Sequence, residues 1–332
     1  MQANALFHNR PPLWLYHEHP YYQWKRPEYM NLCLETVLRH CGKRFRVIQL
    51  TRYNIYNYLP DLRKDIWVKC SVIQRKDLIK WELLSRYGGL CLDPDVLVTG
   101  DLMPYIDHLQ KHDLVTFGCG ASDTNTCPKS SRVVRATTSE SDTTRPSDWA
   151  IASRPQGTFV NYARSRSHWL LDNDAKQITD VPELFGKVML WQSLQELSHG
   201  EHADVTLHGA GMGLPPWSYI HIGYKCGSAD SHGELYTMPR LLANDNVDEG
   251  CFASMRLVPL HSEGNRQCEF PPWFVEASRE QLLGNPHTLV GKLWRWSLLD
   301  ETPFHSTIDA LSFQTIPSIT MPRYYASSNW TS

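Results

Sequence analysis

Asp93 and Asp95 stand two residues apart, around Pro94, at the end of the short apolar run Leu90-Cys91-Leu92. Carboxylates at this spacing can hold one hard divalent cation, and the cation can in turn hold a diphosphate. On an extended strand residues i and i+2 point to the same face, and Pro94 stiffens the intervening turn, which favours a fixed separation. Just upstream, Asp77 and Lys80 lie three apart and share a face if their segment is helical. Asp77 can accept from ribose or sugar hydroxyls, and Lys80 can offer a cation to a phosphate or to the sugar. The alternative for this pair is a surface ion pair. When a sugar–oxygen bond to a nucleoside diphosphate breaks, negative charge grows on the leaving group, and a metal bridging the phosphates stabilises it as a Lewis acid. The chemistry these residues offer is group transfer from a nucleotide diphosphate.

The elements that must position these residues can be read from periodicity. Ser71 to Tyr87 is expected as a helix, with Leu78, Trp81 and Leu84 on one stripe and Ile79, Leu83 and Tyr87 beside it. Gly88 suits the residue after the helix, where a left-handed backbone is needed. Gly88-Gly89 then folds the chain into the short strand Leu90–Leu92. Upstream, Leu13–Tyr16 reads as a buried strand, Pro27 to His40 as a helix, and Phe45–Leu50 as a strand. That order is a parallel α/β unit. Downstream, Leu114–Phe117 is expected as a strand, and Trp149–Ser153 resumes ordered structure after a Ser- and Thr-rich loop over residues 122–147, read as solvated surface or as a lid. Helices are expected over Phe159–Leu171, Val188–Leu197 (opened by Gly186) and Leu289–Leu299. Further strands are expected at Val205–Leu207 and Arg256–Leu260, the latter ending at His261.

The composition narrows the function classes. The 332 residues suffice for one large domain or two small ones. The formal net charge of −2 gives no general pull toward nucleic acid. The 12 Trp and 15 Tyr are read as an aromatic-rich core or as aromatic clefts of the kind that bind sugars and bases. Nine Cys without any C-x-x-C pair read as free thiols in a reducing compartment. No run approaches the ~20 apolar residues of a membrane span, and the N-terminus lacks the apolar core of a signal peptide. A soluble, cytoplasmic protein is expected, with peripheral membrane association if its acceptor is lipid-linked. His17-Glu18-His19 is not a helix-borne zinc motif, Gly209 to Gly213 does not match a dinucleotide fingerprint, and no Gly-x-Ser-x-Gly elbow occurs.

The run Asp77, Lys80, Gly88-Gly89 and Asp93-Pro94-Asp95 resembles the signature of DXD glycosyltransferases. These include the capsular polysaccharide synthesis type, the Och1-like mannosyltransferases and the large clostridial toxin glucosyltransferases. Their pattern is Ser-Asp, two residues, Arg, then Gly-Gly, x, Tyr, x, Asp, x, Asp. Lys80 stands where that pattern has Arg, and Cys91 where it has Tyr, so one aromatic contact to the donor is expected to be missing. The resemblance implies a GT-A (Rossmann-like) α/β fold with a mixed central sheet flanked by helices. It implies one domain over residues 1–275, with a nucleotide-sugar half at 11–118 and an acceptor half at 119–275, followed by a C-terminal helix and tail at 276–332.

It also implies a UDP- or GDP-sugar donor, Mn²⁺ or Mg²⁺, a glycan, glycolipid or glycoprotein acceptor, and retention of anomeric configuration. Leu15, Tyr16 and His17 at the end of the first strand would hold the base. Asp77, Lys80, Gly89, Asp93 and Arg266 would contact the donor. Asp148 would reach the transferred sugar, a strand or helix cap being its alternative. Asp93, Asp95 and His261, the last within a His-x-x-Gly, would hold the metal.

Two other classes compete. A haloacid-dehalogenase-like phosphotransferase would use Asp93 as nucleophile, but needs a later acidic pair, and no Asp-Asp occurs in the chain. A transferase-like chain that has lost activity and serves as a glycan-binding module would bind free glycan without dependence on metal and nucleotide; the retained Asp93 and Asp95 argue against it.

Overall fold

Trp14 and Tyr16 on one side of the first strand, Leu13 and Leu15 on the other, are all buried. This strand therefore has helices against both faces, as a parallel strand in a layered α/β protein must. The computed structural model describes residues 10–18, 26–120, 132–134, 145–199, 219–225, 242, 256–260, 270–284 and 288–299. In chain order these form β1 (Pro12–Tyr16), α1 (Glu28–Cys41), β2 (Arg46–Leu50), α2 (Ile66–Lys69), α3 (Val72–Tyr87), β3 (Gly89–Leu92), β4 (Val96–Val98), α4 (Met103–Asp107), β5 (Leu114–Gly120), β6 (Arg132–Val134), β7 (Arg145–Ser153), α5 (Thr158–Asn173), α6 (Ala175–Asp180), a π turn (Leu184–Val188), α7 (Met189–His199), β8 (Tyr219–Lys225) and β9 (Leu257–Pro259). Three helices follow, Pro272–Glu276, Arg279–Leu283 and Leu289–Leu299.

The main sheet is mixed and seven-stranded, in the order β2-β1-β3-β7-β5-β8-β6, with β4 and β9 forming a separate antiparallel pair. β1 runs parallel to both β2 and β3, with Trp14 opposite Cys91 and Leu15 opposite Leu92. The sheet separates two cores. Leu13, Leu15, Leu90 and Leu92 pack with α1 and the C-terminal helices. Trp14, Tyr16, Cys91 and Ile151 pack with α3, α5 and α7. The last helix is tied to the first core by Ser297, whose hydroxyl donates to the Val98 carbonyl at 2.7 Å and meets His40 Nε2 at 2.9 Å. Cys33, Cys41, Cys70 and Cys91 are free and buried. No described helix is long and apolar enough to cross a membrane.

α3 forms where expected because both its ends are written locally. The Ser71 hydroxyl accepts from Gln74 N and the Gln74 side chain accepts from Ser71 N, a capping box. At the other end Gly88 and Gly89 have φ of +65° and +92°, angles that L side chains rarely adopt. A Cβ on Gly88 would also lie 2.7 Å from the Ser153 carbonyl, and one on Gly89 would strike the Pro12 carbonyl. The Gly-Gly pair thus lets β3 enter between β1 and β7.

Two expectations are corrected. The segment 122–147 is not loop throughout, since β6 and the first residues of β7 fall within it. The tail beyond Trp273 holds the helix Arg279–Leu283 besides Leu289–Leu299. The strand expected at Val205–Leu207 lies outside the described residues.

Candidate active site at the ends of the parallel strands

α3 runs back along β3, so the N-terminal half of the helix stands beside the C-terminal end of that strand. Lys76, Asp77 and Lys80 therefore meet Asp93, the first residue beyond β3. In open α/β sheets ligands bind at this carboxyl end of the strands. Lys80 Nζ lies 3.2 Å from Asp77 Oδ1 and 3.8 Å from Asp93 Oδ1. It also donates to the Asp148 carbonyl and stands 3.9 Å from Asp148 Oδ2. Lys76 Nζ donates to Asp93 Oδ2 at 2.7 Å and is 3.8 Å from Asp77 Oδ1. Two ammonium groups and three carboxylates share one site. The Asp77–Lys80 pair is not the surface ion pair that was its alternative reading, because both side chains are buried.

Asp148 reaches the cluster through an irregularity in β7. The register against β5 jumps from Thr116–Ile151 to Phe117–Ser147, which leaves Asp148-Trp149-Ala150 without partners on β5. Such bulges re-aim a side chain, and often lie next to active sites. The bulged Trp149 carbonyl accepts from Asp93 N at 2.8 Å, which fixes the strand end beside Asp148.

Gly186, in the π turn, closes the site from the other side. A Cβ there would collide with Oδ2 of both Asp77 and Asp148, so these two carboxylates converge on its backbone. The turn is held to α3 by Trp81 Nε1, which donates to the Phe185 carbonyl at 2.6 Å, and α6 before it by Gln74 Nε2, which donates to the Ile178 carbonyl at 2.6 Å.

The electrostatics follow from burial against like and unlike charges. Burial pushes the Asp77 carboxyl up to about 6, with Asp148 and Asp93 adding to the rise and Lys80 and Lys76 opposing it. Burial also works against the Lys76 ammonium, but Asp93, Asp77 and Asp148 outweigh it and hold its pKa well above the ordinary lysine value. Lys80 is raised on the same balance, burial against and Asp77, Asp93 and Asp148 for, with Lys76 opposing. Both lysines are cations at neutral pH. Burial pushes up the Cys91 thiol, so it is no thiolate nucleophile.

A pocket beside the cluster is lined by Trp14, Tyr16, Lys76, Lys80, Leu83, Cys91, Leu92 and Asp93. As it stands the cavity has room for about one water, so a larger occupant requires its walls to move; Trp14, Tyr16 and Cys91 give it apolar lining and Lys76 and Lys80 give it charge. Tyr16 is fixed by its hydroxyl, which donates to Glu18 Oε2 at 3.0 Å. Arg75 grips that carboxylate with Nη2 at 2.7 Å and Nε at 3.0 Å.

The expected site residues divide accordingly. Asp77, Lys80, Asp93 and Asp148 are brought together, and Tyr16 lines the adjoining pocket. Leu15 is turned into the first core, on the opposite face of the sheet. His17 follows β1, its N–H donating to the Leu50 carbonyl at 2.9 Å, and Gly89 serves the turn into β3. His261 and Arg266 lie outside the described residues. Lys76, Trp14 and Gly186 were missed. Lys76 is one turn before Lys80 and Trp14 is two before Tyr16, so periodicity could have found both; Gly186 arrives from far along the chain and had no signal.

The premise that Asp93 and Asp95 share a strand face is also corrected. β3 ends at Leu92, and Asp93-Pro94-Asp95 forms a turn in which Val96 N donates to the Asp93 carbonyl at 3.2 Å. The Asp95 charge bears on the buried Cys33 thiol of α1, which it helps raise after burial itself. Among the described residues no group of three or more His, Cys, Asp or Glu is arranged to hold a metal. The donor chemistry fits Mg²⁺ or Mn²⁺, since one or two hard carboxylates suffice when a diphosphate supplies further oxygens. The Leu260 N–H, one residue before His261, donates to the Asp95 carbonyl at 3.1 Å.

Residues 24–176, just under half of the chain, match a family described as capsular polysaccharide synthesis protein. The matched stretch contains Lys76, Asp77, Lys80, Asp93, Asp95 and Asp148. A solved structure titled "PaToxG Glycosyltransferase" is similar at 11% identity, over 60% of this chain and 76% of that one, with a TM-score of 0.32, too distant to bear on the site. No curated protein matches the chain.

Proposed function

We propose that this chain, which is similar to capsular polysaccharide synthesis proteins over residues 24–176, is a GT-A-type sugar transferase that moves a sugar from a nucleoside diphosphate sugar to a hydroxyl of a glycan, glycolipid or glycoprotein. The observation that carries the reading is the convergence of Lys76, Lys80, Asp77, Asp93 and Asp148 just beyond β3. A nucleoside diphosphate would set its phosphates at the two lysines, with its ring at the Trp14–Tyr16 cavity once that small space opens. Asp77 and Asp148 converge beside Lys80 and are placed to hold sugar hydroxyls. Carboxylates accept well from paired hydroxyls, and the burial of Asp77 strengthens such bonds at its side of the pair.

A Mn²⁺ or Mg²⁺ ion held by Asp93 and Asp95, with His261 as a further ligand, would supply Lewis-acid stabilisation of the diphosphate leaving group. The chain's own cations do part of the same work. Lys80, fixed by three carboxylates and a carbonyl, is a preorganised positive charge near the developing negative charge, in a partly dry site where such charges act strongly. Gly186 and the π turn help cover the buried Asp77 carboxylate. No described group is posed as a dedicated general base for the acceptor. The proposed outcome is retention, with the leaving phosphate assisting removal of the acceptor proton.

Incubation of the purified chain with UDP- and GDP-sugars, Mn²⁺ and glycan acceptors tests the reading. Release of one nucleoside diphosphate together with a new glycosidic bond supports it. Release of inorganic phosphate instead, or no turnover with any sugar nucleotide, contradicts it.

A further inference from the structure

Lys76 and Lys80 occupy the same cluster but differ in how they are held. Lys80 is 5% exposed and bound on every side, by Asp77, Asp93 and the Asp148 carbonyl. Lys76 is 23% exposed and makes its close contact with one oxygen, Asp93 Oδ2 at 2.7 Å, while lining the pocket. A lysine is a flexible four-carbon stem with a compact charged head, so Lys76 can turn from Asp93 toward a pocket occupant without moving α3. Its ammonium sits on the carboxylate at which a divalent cation is expected. A cation bound at that oxygen would need Lys76 to leave, since two positive charges at such short range repel strongly in a poorly hydrated site.

We propose that Lys76 is a resident cation of the donor site: its ammonium neutralises Asp93 in the free protein, swings onto the diphosphate when a nucleotide binds, and competes with a divalent metal for Asp93. This rests on the donor-site reading above and adds a property to it. Nucleotide binding keeps a cationic contribution in the absence of metal, and the free protein holds metal weakly because Lys76 already covers the carboxylate. Binding of metal and of diphosphate is then coupled through one side chain, because the diphosphate draws Lys76 off Asp93 and uncovers it for the metal.

The test is equilibrium binding of UDP, of GDP and of Mn²⁺ alone to the full chain by calorimetry, in EDTA and in Mn²⁺, for wild type and Lys76→Met. The expected result has three parts. Wild type binds one nucleoside diphosphate in EDTA within roughly tenfold of its affinity in Mn²⁺. Lys76→Met loses roughly tenfold or more of the EDTA affinity and recovers with Mn²⁺. Mn²⁺ alone binds Lys76→Met more tightly than wild type; a tenfold change corresponds to about 1.4 kcal/mol. Equal loss in EDTA for both proteins, or Mn²⁺ binding no tighter in the variant, overturns the proposal while leaving the donor site standing. Failure of wild type to bind UDP or GDP even with Mn²⁺ overturns the donor site and the proposal together. If Lys76→Met does not fold, Lys76→Gln carries the same comparison.

Discussion

The backbone of Gly186 is packed directly on the carboxylate of Asp77, with Asp148 on the same point, so there is no room for a single methyl group between them. The π turn and α3 are far apart in sequence, yet they share this wall. Substitution Gly186→Ala forces a methyl into the buried Asp77 carboxylate and the partly exposed Asp148 carboxylate, both of which face Lys80. We expect a destabilisation of about 1–3 kcal/mol, the usual range for overpacking, together with loss of donor binding. Urea unfolding and nucleotide titration check it; wild-type values in both would mean that the turn does not close the site.

Asp77 gives the site a pH signature. Its folded carboxyl titrates at about 6, above the ordinary 3.8. Between those values the folded state keeps a proton that the unfolded chain has lost, so this group's contribution to stability falls as pH rises. The contribution is fully present below the unfolded value and gone above the folded one. Asp77→Asn removes that slope. Melting temperatures of variant and wild type, measured from about pH 4 to about pH 6.5, should diverge in the variant's favour as pH rises. Parallel curves would place Asp77 in a less buried setting than its 1% exposure indicates.

Trp14 serves the pocket and the core at once. Its Nε1 donates to the Gly88 carbonyl at 2.9 Å, tying β1 to the end of α3, and its ring packs on Tyr58 and Tyr87. Trp14→Ala should cost about 3–5 kcal/mol, as for other buried aromatics. Trp14→Phe, which keeps the ring but not the donor, should cost less while lowering nucleotide affinity. If Trp14→Phe binds nucleotide as wild type does, the aromatic wall contributes through Tyr16 alone.

Asp93→Ala and Asp95→Ala should each fold and each abolish transfer. Lys76 is exposed enough to turn to solvent when Asp93 is removed, which limits the cost of an unpaired buried charge. Circular dichroism checks the fold, and product formation the activity. Full activity in either variant would falsify the metal role of that carboxylate.

Much of this arrangement was legible because its signals are local. Ser71, Gln74 and the Gly88-Gly89 pair write both ends of α3, and the alternation of β1 and β3 gives two-sided burial directly. A turn at Pro94 was legible, but not that β3 ends at Leu92 and leaves Asp93 and Asp95 off a common strand face. That outcome depended on β4 pairing with β9, a contact with residues far away in sequence. The β7 bulge that delivers Asp148 depends on its register with β5, and Gly186 depends on the docking of a turn whose sequence carries no chemistry. Leu15 was named with Tyr16 and His17 on the resemblance alone; in the sheet Trp14 and Tyr16 share one face, and the Leu15 side chain alternates onto the other.

The central claim is that the Lys76–Lys80 end of this pocket receives the phosphates of a sugar nucleotide. A thermal-shift panel of UDP- and GDP-sugars with Mn²⁺, on wild type and on Lys80→Met, tests it most directly. Ligand linkage predicts that donors of one base raise the melting temperature of wild type and that the rise disappears in Lys80→Met. No rise with any sugar nucleotide, or a rise undiminished in Lys80→Met, would contradict the account.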